Sequence, residues 1–189
     1  MKVNHNKDFF NEKAAVWDDM VFHDPKKVSF IINGLGLKPT DRVLDVGCGT
    51  GVLAPYLCDK CGSVLAIDEA EKMIEIALKK HDYKNVRFEA VEFEKVSGIY
   101  DIIIMYTMFP HFRDKQKALT HAASLLKKGG SLTVAHSQSR RAINGIHESP
   151  ECKLPTVQEF AILFENAGLK PENATDNEDM FIVKGIKTN

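Results

Sequence analysis

VLDVGCGTG, residues 43–51, is the stretch that decides how this chain of 189 residues folds. An apolar, strand-like run ends in glycines at positions 47, 49 and 51, and a helical pattern begins near Val52. Glycine lets the backbone turn sharply and lets a ligand approach the main chain closely. A strand that passes through such a loop into a helix is typical of nucleotide-binding α/β proteins. The stretch therefore predicts a nucleotide-binding loop at the carboxyl end of a strand.

The spacing of these glycines distinguishes between kinds of nucleotide loop. A dinucleotide fingerprint, G-x-G-x-x-G, would place its third glycine at position 52, which is valine here. The chain instead reads D-x-G-x-G-x-G from Asp45, and it contains no G-x-x-x-x-G-K-[ST] phosphate loop. A nicotinamide oxidoreductase is therefore the least favoured enzyme class, and a P-loop enzyme is excluded.

The rest of the chain alternates between two apolar patterns. Runs rich in β-branched residues predict strands at 42–46, 63–68, 86–91, 100–106, 131–136 and 180–187. Segments whose apolar residues recur three or four apart predict helices at 7–20, 25–37, 52–60, 70–80, 114–128 and 154–170. This alternation predicts a Rossmann-like, doubly wound α/β sheet that is mostly parallel, with a C-terminal antiparallel strand and helices on both faces.

Length and charge limit the classes of partner. One domain spanning 1–189 is the economical interpretation, since 189 residues bury a sizeable core without disulfides. With 25 basic and 26 acidic residues, bulk charge supports neither a nucleic-acid nor a membrane partner. No signal peptide or spanning segment is recognisable, and four irregularly spaced cysteines suit a reducing compartment. We therefore expect a cytoplasmic protein; the sequence does not specify its oligomeric state.

The glycine loop, 45–51, resembles motif I of the class I S-adenosylmethionine-dependent methyltransferases. Four further stretches resemble that family in the same order along the chain: Asp68, Glu92–Phe93, 100–114 and 125–134. Residues 9–18 are similar to the N-terminal helix of its small-molecule and quinone-ring branch. The resemblance implies methyl transfer from S-adenosyl-L-methionine to a small-molecule acceptor, with S-adenosyl-L-homocysteine as product.

The resemblance also implies which residues hold the cofactor: Asp45, Gly47, Cys48, Gly49, Gly51, Asp68, Met73, Glu92, Phe93 and Tyr106. Asp45 would meet the ammonium of the methionine end, and Asp68 would accept hydrogen bonds from the ribose diol. Met73 would cover the adenine, and Glu92 would accept from its amino group, although relatives usually carry Asp there. On this interpretation 1–40 form N-terminal helices and a lid containing Phe9, Phe10 and Trp17, 41–136 the cofactor-binding half, and 137–189 the acceptor-side helices and last strand.

HSQSRRAINGIH, residues 136–147, follows the fifth predicted strand, where a doubly wound fold places its second ligand. If this stretch is a helix, His136, Arg140, Asn144 and His147 share one face. The face is either a solvated surface or the acceptor wall. As a wall it would offer His136 or His147 as a catalytic base and Arg140 and Asn144 as substrate-binding groups. His111, after the fourth strand, is a further catalytic candidate.

Three alternatives stay open at this point. The acceptor could be larger: a protein, an RNA or a corrinoid-bound group. Amines of DNA bases are disfavoured, since 105–108 read MYTM rather than the D/N-P-P-Y of amino-methylating enzymes. The chain could also be a cofactor-binding regulator without catalysis. No metal is expected, because neither His136, His147 and Cys152 nor the single pair Cys58 and Cys61 matches a zinc-site spacing.

Overall fold

A computed structural model describes residues 7–147 and 149–189 and contains a seven-stranded sheet. The strands lie in the order β3-β2-β1-β4-β5-β7-β6. Their bounds are β1 Arg42–Val46, β2 Ser63–Asp68, β3 Val86–Ala90, β4 Tyr100–Tyr106, β5 Leu126–His136, β6 Leu169–Asp176 and β7 Phe181–Lys187. β1 to β5 pair in parallel, whereas β7 runs antiparallel to both β5 and β6. The predicted doubly wound sheet is confirmed.

Eight helices connect and cover these strands in the described part of the chain. They are α1 Lys7–Lys13, α2 Trp17–Met20, α3 Pro25–Gly34, α4 Ala54–Leu57, α5 Glu71–Lys80, α6 Lys115–Leu125, α7 Arg140–Ile146 and α8 Val157–Asn166. Short 3-10 turns lie at Ala14–Val16, Phe93–Lys95, Phe109–His111 and Pro150–Cys152. None of the helices in the described residues is long and apolar enough to cross a membrane.

Local sequence explains where several helices begin. α8 starts at the predicted capping box, in which Thr156 accepts from the backbone N–H of Glu159 and the Glu159 carboxylate accepts from the N–H of Thr156. α3 starts with Pro25 in its first turn, and the side chain of Asp24 caps it by accepting from the N–H of Lys26.

Several elements of the fold differ from the sequence predictions. The helix predicted at 114–128 ends at Leu125, because β5 already begins at Leu126. The predicted helix 7–20 is divided into α1 and α2 by a 3-10 turn, and the helix predicted at 52–60 is reduced to α4. The sequence predicts no strand between the helix at 154–170 and the strand at 180–187, but the polar, proline-containing stretch LKPENATD forms β6. It forms nonetheless, since hydrogen bonds to β7 place it on the edge of the sheet, where polar side chains meet solvent.

The hydrophobic core lies on both faces of the sheet. One apolar cluster packs α6 and α8 against β4 and β5, and a second packs α3, α4 and α5 against β1 and β2. Because β1 pairs in parallel with both β2 and β4, the carboxyl ends of these three strands point toward the same end of the molecule. Doubly wound sheets bind their ligands at this end.

Candidate active site

A cavity of about 460 Å³ opens at the carboxyl ends of the parallel strands. This volume lies within the range of small-ligand sites. Eight of the ten residues predicted to hold the cofactor line it: Asp45, Gly47, Cys48, Gly49, Asp68, Met73, Phe93 and Tyr106. Gly51 and Glu92 do not line it. The structure thus collects most of the predicted residues in one place.

The glycine loop forms one wall of this cavity. Gly47 has a φ of +70°, and a Cβ added there would lie 2.8 Å from Cβ and Cγ of Met108. Gly51 has a φ of +85°, and an added Cβ would lie 2.7 Å from the ring of His81. Left-handed backbone and close packing both require glycine at these two positions. Gly51 therefore shapes the loop from outside the cavity.

Asp68 links the end of β2 to the glycine loop. Its Oδ2 accepts a hydrogen bond of 2.9 Å from the N–H of Gly49, and its Oδ1 accepts one of 2.9 Å from the N–H of Ala70. Burial raises the pKa of this carboxyl, and the two backbone hydrogen bonds oppose that rise. Each carboxylate oxygen has a second lone pair, so Asp68 can also accept from a ligand in the cavity.

Asp45 is a carboxylic acid enclosed almost completely by protein. Its exposed fraction is 2 %, and it lies on the cavity wall. Burial, followed by the nearby charge of Asp68, raises its pKa to about 7. Within the described residues no ion pair compensates the charge of Asp45. A buried carboxylate of this kind is stabilised by a cationic ligand group.

The structure places only some of the residues predicted to contact the adenine on the cavity wall. Met73 and Phe93 are buried and line the cavity, and Met73 packs against Ala14 and Ala70. Glu92 is exposed and its Oε1 pairs with Nζ of Lys95 at 2.8 Å. Its neighbour Glu94 lines the cavity instead. The 3-10 turn that begins at Phe93 explains this difference, because it turns the chain immediately after Glu92.

The N-terminal segment covers the glycine loop. Phe10 and Trp17 line the cavity and pack edge to face, with ring centroids 5.2 Å apart. Asp18 fixes this segment, since Oδ1 accepts from the Thr50 hydroxyl at 2.6 Å and Oδ2 from Nζ of Lys80 at 2.7 Å. The predicted lid is therefore in contact with the loop; Phe9 is more exposed and packs on Phe10.

Two cavity residues, Thr107 after the end of β4 and His23 between α2 and α3, are not among the residues predicted from the sequence. Thr107 lines the cavity with a φ of +57°, a conformation rare for residues other than glycine. Strained backbone of this kind clusters at ligand sites. His23 also lines the cavity, and its Nδ1 lies 3.1 Å from the hydroxyl of Tyr106. No sequence signal marks either residue, since Thr107 lacks a turn motif and His23 lies between two helices.

The three predicted catalytic histidines lie close together, although only His111 lines the cavity. The rings of His111 and His147 are 5.1 Å apart, and His136 is fully buried behind them. Burial lowers the pKa of His111 to about 4 and that of His136 to about 3. Within the described residues neither ring nitrogen of His136 has a hydrogen-bond partner.

The prediction that 136–147 form one helical face is wrong. His136 is the last residue of β5, and α7 begins only after Ser139, whose side chain caps it. His147 lies beyond the end of α7. A strand end and a helix cannot share the fourfold spacing assumed for a continuous helix.

Arg140 and Asn144 are also directed elsewhere and do not line the cavity. Nε of Arg140 pairs with Oδ2 of Asp176 in β6 at 2.9 Å. The side chain of Asn144 donates to the carbonyl of Leu154 and accepts from its N–H. Both side chains thus connect α7 to neighbouring segments, and neither lies on the cavity wall that the predicted acceptor contact requires.

Across 7–147 and 149–189, no group of three or more His, Cys, Asp or Glu side chains is arranged to hold a metal ion. All four cysteines are free thiols, and Cys48 and Cys61 are buried. Burial raises the pKa of Cys48 well above its ordinary value, which keeps it protonated.

Comparison with known proteins connects this geometry to a family. A family profile described as a methyltransferase domain matches residues 37–177, from just before β1 to the loop after β6. The chain belongs to the methyltransferase domain family. Solved methyltransferases share its fold: one from Haloferax volcanii, in complex with the Trm112 activator, superimposes with a TM-score of 0.82 at 18% identity, covering 95% of this chain and 98% of that one.

Two curated relatives of this methyltransferase domain have named activities. A ubiquinone biosynthesis O-methyltransferase from Bordetella avium is 33% identical over 137 residues, which is 65% of this chain and 56% of the relative. A malonyl-[acyl-carrier protein] O-methyltransferase from Acetivibrio thermocellus is 29% identical over 160 residues, 80% of this chain and 56% of the relative. The methyltransferase domain thus spans about half the length of these relatives.

Proposed function

We propose that this methyltransferase domain transfers a methyl group from S-adenosyl-L-methionine to a small-molecule acceptor. The observation that carries the proposal is Asp45: a carboxylate 2 % exposed, on the cavity wall, beside a glycine loop and without a cationic partner in the described residues. The methionine end of S-adenosylmethionine carries an ammonium group that complements this charge. The family and the named activities of the curated relatives support the same reaction.

The other cavity residues suit the remaining parts of that molecule. The free lone pairs of Asp68 can accept from a ribose diol, and Met73 and Phe93 offer apolar surface for an adenine. Gly47 and Gly49 line the cavity, so a ligand there approaches the main chain of the glycine loop. In this proposal 41–136 bind the cofactor, 1–40 cover it and 137–189 complete the acceptor side; residues 1–6 lie outside the described part of the chain.

When bound, S-adenosylmethionine supplies an electrophilic methyl group on a sulfonium. The protein's task is to hold an acceptor in line with that methyl and to exclude water. Phe10, Trp17 and Met108 provide apolar walls for this purpose. His111, on the same wall and with a pKa of about 4, stays a neutral imidazole at physiological pH and can hydrogen-bond an acceptor.

The relative named for ubiquinone biosynthesis supports a small acceptor, and the relative named for malonyl-[acyl-carrier protein] supports a small reacting group, which is carried there on a protein. A cavity of about 460 Å³ that must hold both molecules favours a compact acceptor. A cytoplasmic location stays a prediction, supported by four free thiols.

Titration calorimetry tests the cofactor. We expect S-adenosylmethionine and S-adenosylhomocysteine to bind and NAD not to bind; the reverse pattern would overturn the proposal. Methyl transfer is then measured with methyl-labelled S-adenosylmethionine and the small-metabolite fraction of a cell extract. Cofactor binding without transfer to that fraction or to protein and RNA fractions would identify a regulator instead.

A further inference from the structure

Three side chains form a hydrogen-bonded chain from the cavity into the protein. The hydroxyl of Tyr106, at the end of β4, donates to Oγ of Ser137 at 2.9 Å. Nδ1 of His23 lies 3.1 Å from the same hydroxyl. Tyr106 and Ser137 are buried, whereas His23 and Tyr106 line the cavity. The chain therefore begins at a ring that a ligand can reach.

The hydrogen bond between Tyr106 and Ser137 bears on the tautomer of His23. When the Tyr106 hydroxyl donates its only proton to Ser137, it can interact with Nδ1 only by accepting. Nδ1 must then carry the ring proton, which leaves Nε2 with a lone pair. A histidine oriented by a partner on Nδ1 and free to accept at Nε2 is the arrangement that general bases use.

The backbone holds His23 in place. Val21 donates to the carbonyl of Trp17 at the end of α2, and Asp24 caps α3 through the N–H of Lys26. Asp18 ties the preceding helix to Thr50 and Lys80. His23 thus lies between two backbone segments that hydrogen bonds hold in place. It contacts Tyr106 at the end of β4 and lines the same cavity as Thr107 and Met108.

Charge near the ring distinguishes His23 from the other cavity histidine. Burial lowers the pKa of His23, the Asp18 carboxylate opposes that effect, and Lys80 adds to it. For His111, burial and the neighbours His147 and Lys115 all lower the pKa, to about 4. A nearby carboxylate stabilises the imidazolium that forms when a base takes up a proton.

We propose that His23 is the proton acceptor of the methyl transfer, positioned by Tyr106 and Ser137, and that the acceptor therefore reacts through an ionisable O–H or S–H group. This inference rests on the proposed function. The acceptor proton passes to Nε2 of His23, and the acceptor oxygen or sulfur forms a bond to the methyl carbon. The bond from that carbon to the sulfonium breaks, and its electron pair leaves neutral S-adenosylhomocysteine.

The ring tautomer can be measured without an acceptor. In ¹⁵N-labelled protein, with His23 assigned from the spectrum of His23→Gln, we expect the proton on Nδ1. Tyr106→Phe removes the hydroxyl and should abolish that preference, a change that a purely structural role of Tyr106 would not produce. A proton on Nε2 in the wild type would overturn the proposal.

Turnover provides the second measurement, with catechol and thiophenol as protic probes and dimethyl sulfide as a probe without such a proton. We expect His23→Gln to slow methylation of the protic probes at least about 100-fold, since general bases contribute 10²–10⁴-fold. Its affinity for S-adenosylhomocysteine should stay within about twofold of the wild type. Phe22→Ala, next in sequence and 80% exposed, is the matched control and should keep wild-type rates.

Wild-type transfer to dimethyl sulfide but to neither protic probe would contradict the proposal, as would equal rates in His23→Gln. If no probe is methylated and no cofactor binds, the proposed function fails instead. Cofactor binding together with a proton on Nε2 of His23 would overturn this inference and leave the proposed function standing.

Discussion

Met108 lies so close to the glycine loop that a Cβ on Gly47 would be 2.8 Å from its Cβ and Cγ. Gly36 has nearly the same backbone, with a φ of +71° against +70°, but nothing lies within 4 Å of its added Cβ. Comparing the same substitution at the two glycines therefore separates the cost of left-handed backbone from the cost of steric crowding.

Gly36→Ala should cost about 1 kcal/mol of unfolding free energy, from left-handed backbone alone. We expect Gly47→Ala to cost at least about 2 kcal/mol, because Met108 must also move. Denaturant unfolding measures both variants. Adding Met108→Gly, which removes both Cβ and Cγ, should recover the excess at Gly47 and nothing at Gly36; additive costs in the double variant would show that crowding is not the cause.

Asp68 should contribute more to cofactor affinity than Glu92. Asp68 orients the loop through Gly49 and faces the cavity, whereas Glu92 is exposed and paired with Lys95. We expect Asp68→Ala to weaken S-adenosylhomocysteine binding by about 10- to 100-fold, the value of hydrogen bonds to a charged group. Glu92→Ala is the control. Equal losses of S-adenosylhomocysteine affinity in the two variants, measured by calorimetry, would indicate that Glu92 contacts the adenine.

The buried carboxyl of Asp45 should make stability depend on pH. Its pKa is about 7 in the folded protein against 3.8 ordinarily, so the folded state holds the proton more tightly than the unfolded chain. The contribution of this carboxyl to the free energy of unfolding therefore decreases as pH rises from 3.8 to about 7, and it stays low above that. Asp45→Asn removes the effect.

We therefore expect the stability of Asp45→Asn relative to the wild type to increase across this window, by about 2–4 kcal/mol in ligand-free protein. The same variant should lose affinity for S-adenosylmethionine, because the ammonium has no counter-charge. Thermal unfolding between pH 4 and pH 8 measures the first effect and calorimetry the second. A constant difference between variant and wild type would show that burial does not raise the pKa of Asp45 in the folded protein.

The cofactor half of this site was predictable because local sequence determines it. A strand, a glycine loop and an acid at the end of the next strand are set by short-range pattern, and parallel pairing of β1 with β2 brings Asp45 and Asp68 to the same edge. Glu92 was the exception, since a single 3-10 turn decides which of two neighbouring acids faces the cavity.

The acceptor half was not predictable in the same way. The strand predicted at 131–136 already contains His136, and its pairing with Phe181 confirms that strand end, so the helical interpretation of HSQSRRAINGIH from its first residue is wrong. That contact is 45 positions away along the chain, so no window of local sequence contains it. Similarly, His23 reaches Tyr106 only through the fold, across 83 positions. Neither the pairing of His136 with Phe181 nor the contact of His23 with Tyr106 could be predicted, because both partners are far apart along the chain.

Asn144 should prove structural. Its amide donates to the carbonyl of Leu154 at 3.1 Å and accepts from the N–H of Leu154 at 2.6 Å, next to a side chain that is only 1 % exposed. Asn144→Ala would leave both backbone groups without a partner, at a cost of about 1–3 kcal/mol in unfolding free energy.

Asn144→Asp keeps the acceptor but not the donor, so we expect an intermediate loss. The exposed neighbour Arg141→Ala should change stability by less than about 0.5 kcal/mol. Since Asn144 does not line the cavity, S-adenosylhomocysteine affinity should be the same in all three variants. Denaturant unfolding and calorimetry measure the two quantities. Lost affinity with unchanged stability would return Asn144 to the binding site, because only direct contact with a ligand separates the two effects in that direction.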